Sequence, residues 1–266
     1  MPERSFFGHR VQALDTVFIT GASSGIGWAL AEYYAARGAV LGVCARRREP
    51  LQELCARWPG QLHAYPLDVT DAAAMRAAGE DFIARAGVPD IVIANAGVSV
   101  GTLTEHAEDL DTIRRVMDVN FFGMVATFAP FLGGMRRAGA GRLVGIASLA
   151  GIRGLPGAEA YSASKAAAIS YLESLRLELR GSGVAVVTIS PGYIRTPMTA
   201  TNPFPMPFLL SADAAAPRFA RAIARGSSYV VIPWQMALVG KALRVLPNQL
   251  YDRLLAGAPR KPRGSG

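Results

Sequence analysis

The sequence TVFITGASSGIG, residues 16–27, joins a short apolar run to a turn with three glycines, and a helix-like stretch follows. A strand that passes through a glycine turn into a helix directs backbone N–H groups and the helix N-terminus at a ligand phosphate. Gly21 permits the tight turn, Gly25 lets a pyrophosphate approach the backbone, and Gly27 lets the helix pack close to the sheet. The turn therefore favours a dinucleotide site over the alternative, a turn that uses glycine for its conformation alone. The expected contact residues are Gly21, Ser23, Ser24, Gly25, Ile26 and Gly27.

Apolar runs alternate with helical stretches along the rest of the chain. The predicted strands are Thr16–Thr20, Val40–Ala45, Leu62–Pro66, Ile91–Asn95, Arg142–Ala147, Val184–Ser190 and Tyr229–Ile232. The predicted helices are Gly25–Arg37, Pro50–Arg57, Ala72–Ala86, Leu110–Met135, Ala158–Arg180 and Ala212–Ala224. Apolar strands separated by helices predict an α/β fold, a doubly wound parallel sheet of Rossmann type. The carboxyl ends of the strands, and hence the ligand, then lie at one edge of the sheet.

The chain is long and apolar enough to bury a substantial core. Its 266 residues, 51% of them hydrophobic, indicate a globular protein rather than a disordered one. We expect a single domain over residues 1–258, in which residues 192–258 form a substrate loop and a C-terminal helical extension. Residues 259–266 form a basic tail rich in proline and glycine, which we expect to be disordered.

The net charge of +8 can favour anionic partners. No Arg/Lys run is interleaved with aromatic residues, so we expect a solvated basic surface and no nucleic-acid partner. The spacing of Cys44 and Cys55 matches no zinc motif, and we expect free thiols and no metal site. Residues 1–16 lack the apolar run of a signal peptide, and no stretch of about 18 residues is apolar enough to span a bilayer. We therefore expect a cytoplasmic location.

The second predicted strand ends in VCARRR, residues 43–48. An NAD site usually carries Asp or Glu near this point, bonded to the ribose 2′-OH. Ala45 stands at that place, and the guanidinium of Arg46 can pair with the 2′-phosphate of NADP by charge-assisted hydrogen bonds. The alternative is an exposed basic loop. We favour NADP(H) as the cofactor.

Two further strand ends supply candidate cofactor contacts. Asp68, which Val69 follows, can accept a hydrogen bond from the adenine amino group, or it can cap the next helix. The capping role is equally open to Thr70 or Asp71. Small residues after the fourth strand let the chain pass close beside a cofactor. These residues are Asn95, Ala96 and Gly97.

Candidate catalytic residues follow in the second half of the chain. Tyr161 and Lys165 share one face of a predicted helix, where we expect the ammonium to lower the tyrosine pKa from about 10. Tyr161 can then exchange a proton with a carbonyl or an alcohol, whereas a surface Tyr–Lys pair is the alternative. Ser148, at the end of the fifth strand, can bond a carbonyl oxygen on which charge develops. Asn120 is a poor helix former in a long helix, which indicates a polar role, or else an exposed or dimer-face position.

Taken together and in their order along the chain, these motifs resemble those of the short-chain dehydrogenase/reductase family over about residues 15–200. The matching parts are Thr20–Gly27, Asp68, Asn95–Gly97, Asn120, Ser148, Tyr161, Lys165 and Pro191–Gly192. The resemblance implies a single-domain oxidoreductase that moves a hydride between nicotinamide and a carbonyl or secondary alcohol. It also implies a catalytic tetrad: Tyr161 is the acid/base, and Ser148 orients the carbonyl. Lys165 bonds the nicotinamide ribose and lowers the tyrosine pKa. Asn120 holds a water that links Lys165 to solvent.

The resemblance extends to the cofactor contacts, and the cofactor itself indicates the reaction direction. It places four residues beside the nicotinamide: Pro191, Gly192, Ile194 and Thr196. Some NADP-using members carry a second basic residue just before the middle glycine, where this chain has Ser24. Arg46 is therefore expected to carry most of the 2′-phosphate recognition. Because the cellular NADP pool is mostly reduced, carbonyl reduction is the expected direction.

The C-terminal part of the chain bears on the substrate and partners. Prolines in the loop Gly192–Leu210 argue against a regular helix, and its Phe, Met and Leu side chains suggest an apolar ketone or aldehyde. The segment Gln235–Leu255 either completes the pocket or a subunit contact, or it lies on a membrane surface. We favour the first because Pro247 interrupts the helix and basic residues are few. The resemblance implies a homodimer or homotetramer joined through the fourth and fifth helices. Leucines placed there, or else in the core, are Leu172, Leu175, Leu177 and Leu179.

Overall fold

The apolar runs of the sequence form parallel strands in the computed structural model, which describes residues 16–263. The strands are β1 (Thr16–Thr20), β2 (Val40–Ala45), β3 (Leu62–Pro66), β4 (Ile91–Ala94), β5 (Gly141–Ile146), β6 (Val184–Pro191), β7 (Ile194–Arg195), β8 (Leu210–Ser211) and β9 (Tyr229–Ile232). Seven of them form one parallel sheet in the order β3-β2-β1-β4-β5-β6-β9, while β7 pairs with β8. The order reverses between β1 and β4, where a doubly wound sheet opens a crevice for ligands. The predicted Rossmann-type α/β fold is confirmed.

Helices cover both faces of this sheet. They are α1 (Gly25–Ala35), α2 (Arg48–Arg57), α3 (Ala72–Ala86), α4 (Asp109–Met117), α5 (Gly123–Ala138), α6 (Glu159–Glu178), α7 (Pro197–Ala200), α8 (Ala212–Ala224), α9 (Trp234–Val245) and α10 (Asn248–Leu255). The predicted helix Leu110–Met135 is in fact α4 and α5 joined by a π-helical turn, Asp118–Phe122. Such a turn within an α-helix often lies at a functional position, and Asn120 is at its centre.

Alternate residues of the central strands pack into two cores on opposite sides of the sheet. Val17 and Ile19 belong to the core that α1 and α8 cover. Phe18 points to the other core, where its ring centroid lies 5.5 Å from that of Phe82 and 4.9 Å from that of Phe131. Burying one such ring stabilises the fold by about 2 kcal/mol. The two cores hold β1 rigidly, and the glycine turn that follows it therefore has a fixed position.

The long helical stretch α4–α5 differs from expectation in its hydropathy. Asp109–Ala138 meets the length and composition of a membrane-spanning helix, which the sequence was not expected to contain. Of its 18-residue apolar window, 44% is buried inside the fold, because side chains such as Phe128 and Phe131 pack in the core on one face of the sheet.

The leucines proposed for a subunit contact fall into two groups, buried and exposed. Leu172 and Leu179 are buried in the core, whereas Leu177 is exposed.

The C-terminal extension is a pair of helices attached beside the β5–α6 connection. Pro247 separates α9 from α10, as predicted. Arg153 joins the pair, because its Nη1 donates to the carbonyl oxygens of Leu243 and Leu246 and its guanidinium stacks 3.8 Å from the Tyr251 ring centroid.

The tail, residues 259–266, was expected to be disordered, but residues 259–263 are ordered in the structure. These residues lie against the fold, and Arg263 pairs with Asp109. The expectations for residues 1–15 and 264–266 fall outside the described residues.

Candidate active site

The glycine turn lies at the carboxyl end of β1 and opens into the crevice. Gly21 has a φ of +70°, and a Cβ there would lie 2.8 Å from the Ala96 backbone. A Cβ on Gly27 would lie 2.3 Å from the Gly21 carbonyl oxygen, so α1 packs directly on the turn. Gly25 has a φ of +58°, and its Cβ would meet the methyl group of Thr196 at 2.9 Å. Gly25 therefore also lets the substrate loop approach the turn, a contact that the sequence did not indicate.

Hydrogen bonds tie this turn to the end of β4. The Asn95 Nδ2 donates to the carbonyl oxygens of Thr20 and Gly21 at 3.0 and 3.2 Å. The backbone N–H groups of Asn95 and Ala96 donate to the Thr20 hydroxyl at 3.2 and 3.3 Å. The two strand ends beside the switch in strand order are therefore one rigid unit. Asn95 acts through its side chain, and Ala96 lies in close backbone contact with Gly21.

Basic side chains line the far end of the crevice. Arg46, with 55% of its side chain exposed, has its Nη1 at 3.9 Å from the Asp68 carboxylate, a distance at which an exposed pair adds little stability. Arg47, which was not predicted as a site residue, lines the same crevice and donates from Nη2 to the Ser23 carbonyl oxygen and hydroxyl at 3.2 and 3.1 Å. Ala45 also lines it, so this position offers no carboxylate. Two guanidinium groups, rather than one, are available for an anionic ligand there.

Asp68 lies beside Arg46 and does not cap the next helix. Its Oδ1 accepts hydrogen bonds from the N–H and the hydroxyl of Thr70 at 3.0 and 2.9 Å. The cap of α3 is Asp71, whose carboxylate accepts from the Ala74 N–H at 2.9 Å. Of the alternatives for Asp68, the helix cap is therefore wrong, and the carboxylate remains in the crevice wall with Val69.

Asn120 is fully buried, which excludes the exposed or dimer-face alternative. Its Oδ1 accepts from the Val98 N–H at 2.8 Å, and its Nδ2 donates to the Val98 carbonyl oxygen and to the Ser164 hydroxyl, each at 2.9 Å. The side chain therefore holds the strand-end segment that contains Gly97 against α6. Asn120 does not line the crevice itself.

Ser148, Tyr161 and Lys165 meet at the other end of the crevice. Ser148 lies two residues beyond the end of β5. Its Oγ accepts from the Ala150 N–H at 3.1 Å, and its side chain hydrogen-bonds that of Tyr161. The Lys165 ammonium lies 5.9 Å from the centroid of the Tyr161 ring and donates to the Ile146 carbonyl oxygen at 2.8 Å. All three side chains line one crevice with the glycine turn. The predicted grouping of these residues is therefore present in the structure.

Two glycines bring α6 close enough for this grouping. A Cβ on Gly145 of β5 would lie 2.3 Å from the Leu172 side chain, and one on Gly151 would lie 2.7 Å from the Lys165 backbone. The short turn after Ser148 therefore packs against the helix turn that carries Lys165. Neither glycine was predicted to matter, because close packing between elements distant in sequence has no local signal.

Burial controls the protonation of Tyr161 and Lys165. Burial raises the pKa of Tyr161, and the hydrogen bond from Ser148 only partly offsets it. The expected lowering of the tyrosine pKa by Lys165 is not found, because desolvation of the phenolate dominates. Burial also lowers the pKa of Lys165 to about 8. Near neutral pH, the phenol therefore carries its proton and the ammonium its charge.

The crevice, of about 680 Å³, continues past Tyr161 to the loop that follows β6. Four residues predicted beside the nicotinamide line it: Pro191, Gly192, Ile194 and Thr196. In the loop beyond them, Met198 lines the crevice, whereas Phe208 is exposed and Tyr193 packs on Phe204 at 6.3 Å between centroids. Of the predicted cofactor residues, only Gly27 does not line the crevice, since it lies behind the turn.

Residues 15–204 match the family model described as short chain dehydrogenase, a span that contains every element of this site. The chain belongs to the short-chain dehydrogenase family. It is an oxidoreductase of a family that uses nicotinamide cofactors, acts on small alcohols and carbonyl compounds, and commonly forms oligomers.

Several proteins similar to this short-chain dehydrogenase match most of its length. An uncharacterized oxidoreductase of Myxococcus xanthus is 43% identical, covering 89% of this chain and 94% of its own. Dehydrogenase/reductase SDR family member 7B of Bos taurus is 33% identical over 94% of this chain and 82% of its own. The solved structure of a short-chain dehydrogenase from Streptomyces avermitilis has a TM-score of 0.74 and 27% identity, covering 93% of this chain and 100% of its own. A 3-oxoacyl-(acyl-carrier protein) reductase from Brucella melitensis has a TM-score of 0.73 and 30% identity, covering 82% and 89%.

Proposed function

We propose that this short-chain dehydrogenase reduces an apolar ketone or aldehyde with NADPH, and that Tyr161 donates the proton. The observation that carries the proposal is the meeting of Ser148, Tyr161 and Lys165 at one end of a crevice whose other end is a glycine turn flanked by arginines. The crevice volume of about 680 Å³ is within the range of small-molecule and cofactor sites, and the crevice is also lined by the loop after β6, which can hold a substrate.

The residues at the adenosine end fit NADP better than NAD. Gly21 and Gly25 line the crevice, and a glycine turn before a helix offers its backbone N–H groups to a pyrophosphate. Ala45 provides no carboxylate for a ribose 2′-OH, while the guanidinium groups of Arg46 and Arg47 line the same wall and can bond a 2′-phosphate. Asp68 can accept from the adenine amino group. When bound, the cofactor supplies the hydride that reaches the carbonyl carbon.

At the other end of the crevice, the protein supplies a proton donor, Tyr161, and a positive charge, Lys165. Because burial raises the pKa of Tyr161, the phenol is protonated near neutral pH and can donate to a carbonyl oxygen. The Ser148 hydroxyl can bond the same oxygen as negative charge develops on it. The charged Lys165 lies behind the phenol and can bond the nicotinamide ribose. Asn120 positions the wall beside them through Val98 and, as a tetrad member, is proposed to hold the water that links Lys165 to solvent.

The substrate preference rests on the crevice wall near Tyr161. Met198, Val98 and Ile194 line that wall and would contact an apolar group on the carbonyl. We further propose a cytoplasmic homodimer or homotetramer. The free thiols of Cys44 and Cys55 support a reducing compartment.

The test is Tyr161→Phe, assayed by NADPH oxidation across a panel of ketones and aldehydes and repeated with NADH. We expect kcat/KM to fall about a thousandfold while the NADPH dissociation constant changes less than about twofold. Tyr171→Phe is the matched control, because Tyr171 lies on the same helix and its ring packs on Phe121. Retained turnover in Tyr161→Phe would refute the role of this phenol. Tight NADPH binding without turnover of any carbonyl or alcohol would refute the proposed reaction.

A further inference from the structure

The last described residues run back across the fold to the β4–α4 loop. We name residues 260–263 the C-terminal strap. The Gly101 N–H donates to the Pro262 carbonyl oxygen at 3.1 Å, and Gly101 forms a parallel bridge with Arg263. A Cβ on Gly101 would lie 2.3 Å from the Lys261 carbonyl oxygen, and one on Gly157 would lie 2.8 Å from the Arg260 side chain. The strap therefore lies in close contact with two loops at the carboxyl edge of the sheet.

Arg263 anchors the end of the strap. Its Nε and Nη2 donate to the two Asp109 carboxylate oxygens at 2.9 and 3.1 Å, and Nη2 also donates to Glu108 at 3.0 Å. Asp109 is buried and accepts in addition from the Leu103 N–H at 2.8 Å. A two-point guanidinium–carboxylate contact on a buried acid is among the stronger ion pairs in proteins. It fixes the chain just beyond Lys261.

Lys261 joins the two walls of the substrate end of the crevice. Its Nζ donates to the Ser99 hydroxyl at 2.9 Å and to the Met198 carbonyl oxygen at 3.4 Å. Ser99 directly follows Val98, and both Val98 and Met198 line the crevice that holds Tyr161. The partners of this half-buried ammonium are neutral oxygens, so the contact is a bridge between two loops rather than an exposed ion pair.

The segment that Lys261 contacts depends on outside support. Met198 belongs to α7, a helix of four residues, and a single helical turn is not stable by itself. Its own bonds are those of Thr196 and Thr199 at the start of the turn. A tether from Lys261 to the Met198 carbonyl therefore sets how far α7 stands from the opposite wall.

We propose that Lys261 is a specificity-determining residue that sets the width of the substrate mouth by holding Ser99 and Met198 together. The inference rests on the proposed carbonyl reduction. Without the tether, α7 moves away from the opposite wall and the site accepts larger carbonyl compounds. Within residues 16–263, the hydrogen bonds of this ammonium go to Ser99 and Met198, and Lys261 is not among the residues that line the crevice.

Lys261→Met tests this inference, because methionine keeps most of the stem and removes the donor. Two aryl ketones of matched reactivity, one with a methyl and one with a bulky second substituent, are compared. We expect the ratio of kcat/KM for the bulky over the small ketone to rise about fivefold, the equivalent of one hydrogen bond, with the change in KM and not in kcat. The NADPH dissociation constant stays unchanged. The control is Lys241→Met, an exposed lysine on α9, for which the ratio does not change.

Hydrogen exchange separates failure of the inference from failure of the proposed function. The amides of Thr199 and Ala200, which donate to the Thr196 carbonyl oxygen, should exchange about fivefold faster in Lys261→Met than in Lys241→Met. Unchanged exchange overturns the tether, whatever the turnover. Faster exchange with an unchanged substrate ratio overturns the role in specificity. Faster exchange in a protein that reduces no carbonyl leaves the tether in place and overturns the proposed function, and with it the specificity role.

Discussion

Replacing Lys165 by methionine removes a buried ammonium and leaves a side chain of similar length. Lys165 is only 4% exposed, and its neighbours on the α6 face and the β5 turn are packed against it. Methionine can occupy the same space without a large change in packing. We therefore expect the variant to fold, and its stability to report what the charge costs.

The cost follows from the pKa. Burial lowers the pKa of Lys165 from 10.5 to about 8. Since one pKa unit corresponds to about 1.4 kcal/mol, keeping the charge in the folded state costs about 3 kcal/mol near pH 7. The variant also loses the hydrogen bond from Nζ to the Ile146 carbonyl oxygen, which contributes about 1 kcal/mol. We expect Lys165→Met to raise the free energy of unfolding by about 2 kcal/mol.

The stability gained by Lys165→Met depends on pH within a defined range. Below pH 8, Lys165 is charged in the folded and the unfolded chain, so the full cost is present. As the pH rises from about 8 toward 10.5, the folded protein loses the Lys165 proton while the unfolded chain keeps it. The unfolded state then binds more protons, and the wild type gains stability relative to the variant. The difference between the two proteins should therefore shrink across this window.

Urea unfolding of the wild type, Lys165→Met and the exposed control Lys241→Met, near pH 7 and near pH 10, measures these differences. NADPH oxidation with the best ketone should fall at least about a hundredfold in Lys165→Met, because the charge beside Tyr161 is gone. The control should change the unfolding free energy by less than about 0.5 kcal/mol. A variant that is less stable than the wild type near pH 7, or a difference that does not vary with pH, would refute the reasoning.

The remaining predictions concern packing and cofactor choice. Gly151→Ala places a Cβ against the Lys165 backbone, so urea unfolding should show a loss of about 2 kcal/mol and kcat should fall more than NADPH affinity. Gly154→Ala, where a Cβ meets no atom of the described residues within 4 Å, is the control, and equal effects of the two substitutions would contradict the role of packing at Gly151. Arg46→Ala and Arg47→Ala should each lower the ratio of kcat/KM for NADPH over NADH about tenfold through the loss of charge-assisted bonds. An unchanged ratio in both variants would reject the NADP assignment.

Much of the sheet was predictable, because buried parallel strands are short apolar runs with clear ends. Val40–Ala45 and Leu62–Pro66 were predicted with the observed bounds, and the other strands of the main sheet agree to within one residue at each end. The glycine turn was predictable for a related reason. Gly21 has a positive φ, and such backbone requirements mark a sequence locally.

Features that depend on contacts between distant segments were not predictable. No local pattern marks Gly151 as the point where the β5 turn meets α6, or places Arg47 against Ser23. The predicted lowering of the Tyr161 pKa was wrong. A sequence shows which charged residues lie nearby along a helix, but not how much water the fold excludes from around the phenol. The tail was predicted from its composition alone, and the buried Asp109 that binds Arg263 lies far from it in sequence.

The proposed direction, carbonyl reduction, starts from the protonated form of Tyr161. A carbonyl acceptor needs a proton donor, and the buried Tyr161 already carries its proton near neutral pH. Oxidation of an alcohol needs the phenolate instead, which burial disfavours and which Lys165, itself only weakly protonated above about pH 8, cannot strongly stabilise. The direction proposed from the cofactor is therefore also the direction in which the protein starts from its lower-energy protonation state.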